Sequence, residues 1–309
     1  DWVRSLRPRS SGLYIFLDRL QARTLYAISE SHPVLISLSA IRGEPYIGRM
    51  VLHAPCGDYL IHSLHSPQPH LIQCTEPYVR EQYRSPPIMS PEGDLALFNG
   101  HWDGSVALWA PARGELERSL TADGRVCAMS PNKRLLVLSN AKGQRVVDLA
   151  TAANVGALSG VAEQARSGVR ALTFSPDSRL VAGGSFDDVV IWDISTFRVY
   201  RTLKGTRAWL EVVAFSPDGK TCAASGHAGG TTNVDIVVYN LDSAKLMHRL
   251  PSAATSIASL VFTPDGRTII SGGSDGSVKV WDSVTGRLLC CWSDDGRVEA
   301  LSVLSPGDI

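Results

Sequence analysis

The sequence predicts an all-β fold made of repeated, small antiparallel sheets of about four strands each. Three near-identical pentapeptides carry that prediction: Phe174-Ser-Pro-Asp-Ser178, Phe215-Ser-Pro-Asp-Gly219 and Phe262-Thr-Pro-Asp-Gly266. Their prolines, Pro176, Pro217 and Pro264, lie 41 and 47 residues apart. Fainter copies stand at 54–57 (Ala-Pro-Cys-Gly), 89–93 (Met-Ser-Pro-Glu-Gly), 129–132 (Met-Ser-Pro-Asn) and 304–307 (Leu-Ser-Pro-Gly). A strand-rich period of roughly 35–47 residues points to a β-propeller, whose blades stack because none buries its faces alone.

Taken in order, residues 1–11 are basic and Ser/Pro-containing and read as a linker or tail. Residues 12–309 read as a single propeller. Strand patterns at 13–17, 24–28 and 34–38 lack the usual opening strand, and 298–304 is an opening strand without a sequel. Joined, 12–45 and 298–305 make one blade, which closes the ring and removes two strand edges that would otherwise invite foreign pairing. The remaining blades are 46–86, 87–124, 125–168, 169–209, 210–256 and 257–297, giving seven. Eight is the rival count if the chain is a piece of a longer protein, which its start at Asp1 and its stop after a fresh repeat motif favour.

The last unit is the clearest. Ile257, Leu260 and Phe262 form the apolar side of a first strand, and Pro264-Asp-Gly266 turns it, with proline presetting φ and glycine free to take positive φ. Strands follow at 268–272, 278–281 and 287–292, the third alternating Val/Lys/Val/Trp as a half-buried strand does.

Trp281-Asp282 ends that third strand, Trp192-Asp193 ends the matching strand of 169–209, and the unit resembles the WD-repeat family. The resemblance covers the chain from about residue 46 onward. Asp103-Gly104 and Trp109 match Asp275 and Trp281, while Val147-Asp148 and Tyr239-Asn240 stand where Trp-Asp would. In the family a His entering each blade links a Ser/Thr, the Trp and the turn Asp. Ser271, Trp281 and Asp275 match, but the entering loops hold no Gly-His pair, so a buried Trp N–H needs another acceptor.

The resemblance implies a non-catalytic scaffold that binds proteins or peptides through the rim shared by entering loops and second-to-third strand turns. At those positions stand Asp123, Arg125, Arg170, Trp209, Glu211 and Arg297, with Trp102, Phe186 and Asp187 in the turns. Aromatics and Arg dominate interface energies. The plainer readings are that Trp209 packs under its loop Thr206-Arg-Ala-Trp209, Trp102 covers a neighbouring blade and Phe186 caps the ring. A sensor or autoinhibitory propeller attached to a larger nucleotide-binding signalling protein is the alternative.

Other classes find little support. No P-loop, G-x-G-x-x-G, H-E-x-x-H or G-x-S-x-G motif occurs. Asp177, Asp218 and Asp265 fall in turns, where an aspartate caps amides. His53, Cys56, His62, His65 and His70 share one blade, but His62 and His65 point to opposite faces of a regular strand, so no metal or other cofactor is expected. Lys plus Arg and Asp plus Glu are 30 each, which argues against nucleic acid despite Arg118, Arg145, Arg166, Arg201 and Arg207. No run approaches the roughly 18 apolar residues of a membrane span. Residues 1–30 lack a signal-peptide pattern and no Asn-x-Ser/Thr acceptor occurs. With six scattered cysteines read as buried thiols, the expected home is cytoplasmic or nuclear.

Overall fold

The computed structural model describes residues 124–140, 142–159, 170–184, 186–228, 233–293, 298 and 300–303, and before them strands with a few adjoining residues. Those residues form strands and turns, with no helix among them, and so none long and apolar enough to cross a membrane. Residues 1–11, read as a tail, lie outside the described residues, as do Trp102, Asp103 and Arg297.

Strands β1 (Leu13–Asp18), β2 (Arg23–Ile28) and β3 (Val34–Ser37) pair in sequence. Strands β4 (Met50–His53), β5 (Tyr59–His62) and β6 (His70–Ile72) form a three-stranded sheet. A four-stranded sheet follows from β7 (Ile88–Met89), β8 (Ala96–Asn99), β9 (Ser105–Ala110) and β10 (Glu115–Thr121). The next comprises β11 (Arg125–Met129), β12 (Leu135–Asn140), β13 (Gly143–Asp148) and β14 (Asn154–Ala157).

Strands β15 (Arg170–Phe174), β16 (Leu180–Gly184), β17 (Phe186–Asp193), β18 (Arg198–Phe215), β19 (Thr221–His227), β20 (Asp235–Asn240) and β21 (Lys245–Pro251) share one ladder. It contains two units, because β18 serves both: Leu203 faces Val189 of β17, and Val213 faces Ala224 of β19. The loop expected at 206–209 is therefore strand instead, bent where Gly205 (φ 93°) and Arg207 (φ 56°) depart from extended geometry.

Strands β22 (Ile257–Phe262), β23 (Thr268–Gly273), β24 (Ser277–Asp282) and β25 (Leu288–Ser293) make the last complete unit. Finally β26 (Ala300–Val303) pairs antiparallel with β3, Leu301 opposite Ile36. Chain start and chain end thus share one sheet. First strands of successive units adjoin: β7 with β11, β11 with β15, β15 with β18, β18 with β22 and β22 with β26.

The core lies between sheets. In β20, Ile236 and Val238 pack toward Leu260, Ile269 and Trp281 of the next sheet. Their neighbours Val237 and Tyr239 pack the other way, against Ala182, Val189 and Ile191. This is the two-residue period of a strand buried on both faces. Trp192 likewise packs back onto Val137 and Val146, and Val147 onto Leu97 and Val106.

Polar side chains fasten the turns. Ser175 Oγ donates to Asp177 Oδ1 (2.6 Å) and accepts the Leu180 N–H (2.9 Å), and Asp177 Oδ1 accepts the Arg179 N–H (3.1 Å). Ser216/Asp218 and Thr263/Asp265 repeat the pattern, each hydroxyl 2.6 Å from its carboxylate, and Ser130/Asn132 does so at 2.7 Å. At the third-to-fourth strand turns, Asp193 Oδ1 accepts from Ser195 N (2.8 Å), Ser195 Oγ (2.5 Å) and Thr196 N (3.1 Å). Asp148, Asn240 and Asp282 cap their own turns through Thr151, Ser243 and Thr285.

Struts also cross between units. Arg118 donates to the carbonyls of Leu149 and Ala150, Arg201 to Asp242 O (3.0 Å), and His248 Nε2 lies 2.8 Å from Val284 O. Ala150, Asp242 and Val284 each stand two residues past the capping Asp or Asn, so one strut recurs at equivalent places.

These caps make an acid-sensitive prediction. Hydrogen bonds hold Asp193 (chiefly from the Ser195 hydroxyl), Asp148 (Thr151 amide) and Asp282 (Thr285 amide) below the usual carboxylate range. Such groups contribute stability that is fully present above about pH 4 and lost as pH falls through the folded-state value. Asp193→Ala should cost about 1 kcal/mol at neutral pH, read as a lower denaturation midpoint. Asp193→Asn should keep the cap at neutral pH, as Asn240 does, and flatten the acid limb of the stability curve.

Candidate functional site

The start of β17, the middle of β18, the end of β19 and the residue before β22 form one row of backbone neighbours. Phe186 of β17 is opposite Trp209 of β18, Trp209 is opposite His227 of β19, and His227 bridges to Ser256 just before β22. Ser256 O then accepts the Ser274 N–H (2.9 Å), and Thr255 Oγ1 lies 3.2 Å from Ser274 Oγ. The row spans three repeat units.

Its geometry follows from the bend in β18. Pairing of β16 with β17 stops at Gly184 opposite Val189, and Phe186 and Asp188 turn to β18 instead. Phe186 and Asp187, expected in a turn, thus belong to β17, where Asp187 holds φ 65°. Asp187 Oδ1 accepts the Arg207 N–H (2.8 Å), which pins the bend, and Asp188 pairs with Lys204 at 3.4 Å. The result leaves Trp209 46 % exposed while Ala208 and Leu210 beside it are buried.

Beneath the tryptophan, Glu211 takes two partners. Its Oε2 accepts from Ser256 Oγ (2.7 Å), and its Oε1 lies 3.0 Å from His227 Nδ1, an ionic approach that is off the line of an N–H hydrogen bond. The carboxylate stands between hydroxyl and ring, so it ties two units together and does not set the imidazole on the serine. Close backbone approach makes this possible. A Cβ on Gly226 would collide with the Trp209 carbonyl oxygen and come within 2.8 Å of the Glu211 nitrogen.

Of the other expected rim residues, Arg125 opens β11 and is exposed. Arg170 opens β15 opposite Gly184, and its side chain is not among those described. Trp109 lies in β9 opposite Ala96, again as backbone. Side chains of the His53–His70 group lie outside the description, and among the described residues no cluster of three or more His, Cys, Asp or Glu could hold a metal.

The repeat residues settle differently from one another. Trp281 is buried and donates to Ser271 Oγ (3.0 Å), while Asp275 caps Ser277 (2.6 Å). Trp192 has Gly183 where Ser271 would be, and donates to Ser159 O (3.1 Å). Tyr239 donates to Lys204 O (2.9 Å), and burial pushes its hydroxyl up to about 12.

Thiols depart from expectation. Cys222 is buried and pushed up to about 12 by desolvation, Cys127 and Cys290 are half-buried, and Cys291 is exposed. Sequence reasoning missed His227 and Ser256. The available signal was the Gly226-His227 pair, which sits at the end of a second strand, not in an entering loop.

Because the β18–β19 approach requires glycine, Gly226→Ala should destabilise the fold by roughly 2 kcal/mol or more. It should also shift the fluorescence of Trp209; an unchanged melting midpoint would contradict the packing.

The comparisons complete the picture. The family model described as WD domain, G-beta repeat matches residues 159–193 and 244–282, stretches that end on Trp192-Asp193 and Trp281-Asp282. Among curated proteins, none matches the chain significantly. The two matches show that the chain carries WD repeats, and both lie on antiparallel sheets.

Proposed function

We propose that the protein is a non-catalytic scaffold, a seven-bladed ring that presents one rim to protein or peptide partners inside the cell. Domains built from WD repeats generally mediate protein–protein interaction. Splitting the ladder of β15–β21 at the bend in β18 divides the described strands into seven groups, and β26 beside β3 supports a ring closed by both ends of the chain. The blade boundaries are those read from the repeat period.

One observation carries the binding surface: Trp209 stands 46 % exposed on a backbone held by Asp187, Gly226 and the Glu211 set. A large aromatic kept at the surface by a rigid mount is the usual anchor of an interface, because little conformational freedom remains to be lost on binding. Phe186, Asp187 and Glu211 stand beside it along the backbone, and the sequence reading adds Arg125, Arg170, Trp102 and Arg297 to the proposed surface.

The test is affinity purification of the full chain with quantitative mass spectrometry, comparing Trp209→Ala with Tyr200→Ala, an exposed control on the outer part of β18. Loss of an anchor worth about 2 kcal/mol weakens binding roughly thirtyfold, so rim partners should vanish from the Trp209→Ala sample alone. Equal capture by both variants, with unchanged melting, would defeat this reading.

A further inference from the structure

The strands that pair beyond a third strand share one irregularity. In β10, β14, the first half of β18, β21 and β25, the pairing skips Glu117, Val155, Tyr200, Met247 and Leu289 in turn. Each is a β-bulge, which re-aims the side chains around it. The residue after the bulge serves the joint with the next unit. Arg118, Arg201 and His248 reach the following turn, and Gly156 lies so close to the Phe197 ring that a Cβ there would collide with it.

The skipped residue itself is left to solvent. Val155, Tyr200, Met247 and Leu289 are 47 %, 52 %, 40 % and 57 % exposed. Glu117 is exposed at the same place, so the bulge accepts a charged side chain and does not call for the four apolar ones. Leu246 and Leu288, just before two of them, are exposed as well, and so is Val284 in the turn that His248 contacts. A lone exposed apolar residue is ordinary, whereas a row repeated over successive units marks a contact surface.

A second row runs beside the first. Arg198, Lys245 and Arg287 stand two residues before Tyr200, Met247 and Leu289, opposite the turn-capping Asp193, Asn240 and Asp282. All three are exposed, and none forms an ion pair among the described residues, whereas Lys204 and Arg249 have Asp188 and Asp235. In β14 the place belongs to Ala153, so the basic row covers three units.

We infer that these two rows bind an extended, acidic segment of a partner protein that lies across β18, β21 and β25. An extended chain points successive side chains to opposite sides. A segment running between the rows therefore sets apolar residues against Tyr200, Met247 and Leu289, and carboxylates against Arg198, Lys245 and Arg287. The cations select an acidic partner, and the shape selects a flexible one. First strands of successive units adjoin, while their last strands are joined through long side chains, so the units fan outward and this surface is convex. A flat anionic bilayer would meet it at one unit, but an extended segment follows it over three.

The inference rests on the stacking of successive sheets and not on the rim, so Trp209→Ala should leave this binding intact. The probe is a labelled peptide of about twelve residues alternating Glu with Leu, enough to cross three units spaced about 10 Å apart. By fluorescence anisotropy it should bind the full chain, and the same peptide with Lys for Glu should not. Arg198→Glu, Lys245→Glu and Arg287→Glu together should weaken binding at least roughly tenfold. Tyr200→Ser, Met247→Ser and Leu289→Ser together should also weaken it, with melting unchanged because all six sites are exposed. Placing Ser for Leu in the peptide should give the same loss without touching the protein.

Failure of the Glu/Leu peptide to bind overturns the inference, and so does equal binding of its Lys counterpart. Binding that survives both triple variants overturns it too. Capture of the chain by phosphatidylserine vesicles in preference to the peptide assigns the surface to a membrane, and also overturns it.

Discussion

Each sheet in this protein shares its side chains, by turns, between two neighbours. Ile236 and Val238 belong to one interlayer and Val237 and Tyr239 to the next, so no unit can bury both faces unless both neighbours are in place. Stability is then a property of interfaces more than of blades. Among the described residues, the bulky side chain near the end of a third strand (Trp281, Tyr239, Trp192 or Val147) packs backward onto the preceding sheet. That polarity gives the stack a direction. The Arg118, Arg201 and His248 struts run the opposite way, from an outer strand forward to the next unit's turn.

The same position shows how the repeats drift without losing the fold. A buried indole or phenol needs an acceptor, but any acceptor within reach serves. Trp281 uses a hydroxyl across its own sheet. Where that hydroxyl is absent, at Gly183 and Ala224, the donors turn to carbonyls of the incoming connection, Ser159 O and Lys204 O. Moving the acceptor onto backbone frees the second strand to vary, and the entering segment becomes part of the core because its carbonyl is fixed there. The lack of an entering Gly-His pair is met by this substitution.

What was legible in the sequence was local. The Ser/Thr-Pro-Asp turns could be read because their hydrogen bonds close within five residues, as Leu180 N to Ser175 Oγ does. Strand alternation was legible for the same reason, and the pairing of chain end with chain start followed from counting strands. Residues 206–209 were misread because Gly205 and Arg207 carry the composition of a loop, while their backbone bends inside a continuous strand. Glu211 and Trp209 could be singled out from their place in the repeat. Their partners His227 and Ser256 could not, since His227 comes from the paired strand β19 and Ser256 from the segment before β22, far along the chain. Reading Cys290 and Cys291 as buried failed in part, since apolar composition alone does not tell a sheet's outer strand from its core: Cys290 is half-buried and Cys291 exposed.

The bend in β18 accounts for the setting of Trp209. Connections between elements generally run over the surface and are more mobile than the elements they join. Here Asp187 captures the Arg207 amide, Gly226 lets β19 close onto Trp209, and Glu211 binds the hydroxyl that precedes β22. Two positive-φ residues, Asp187 and Arg207, are held against their preference to achieve this, each at about 1 kcal/mol or more. Packing alone would not demand such strain, since Ala208 and Leu210 reach the core on either side of the tryptophan. What the strain secures is a strand in which Trp209 stays exposed while Ala208 and Leu210 are buried.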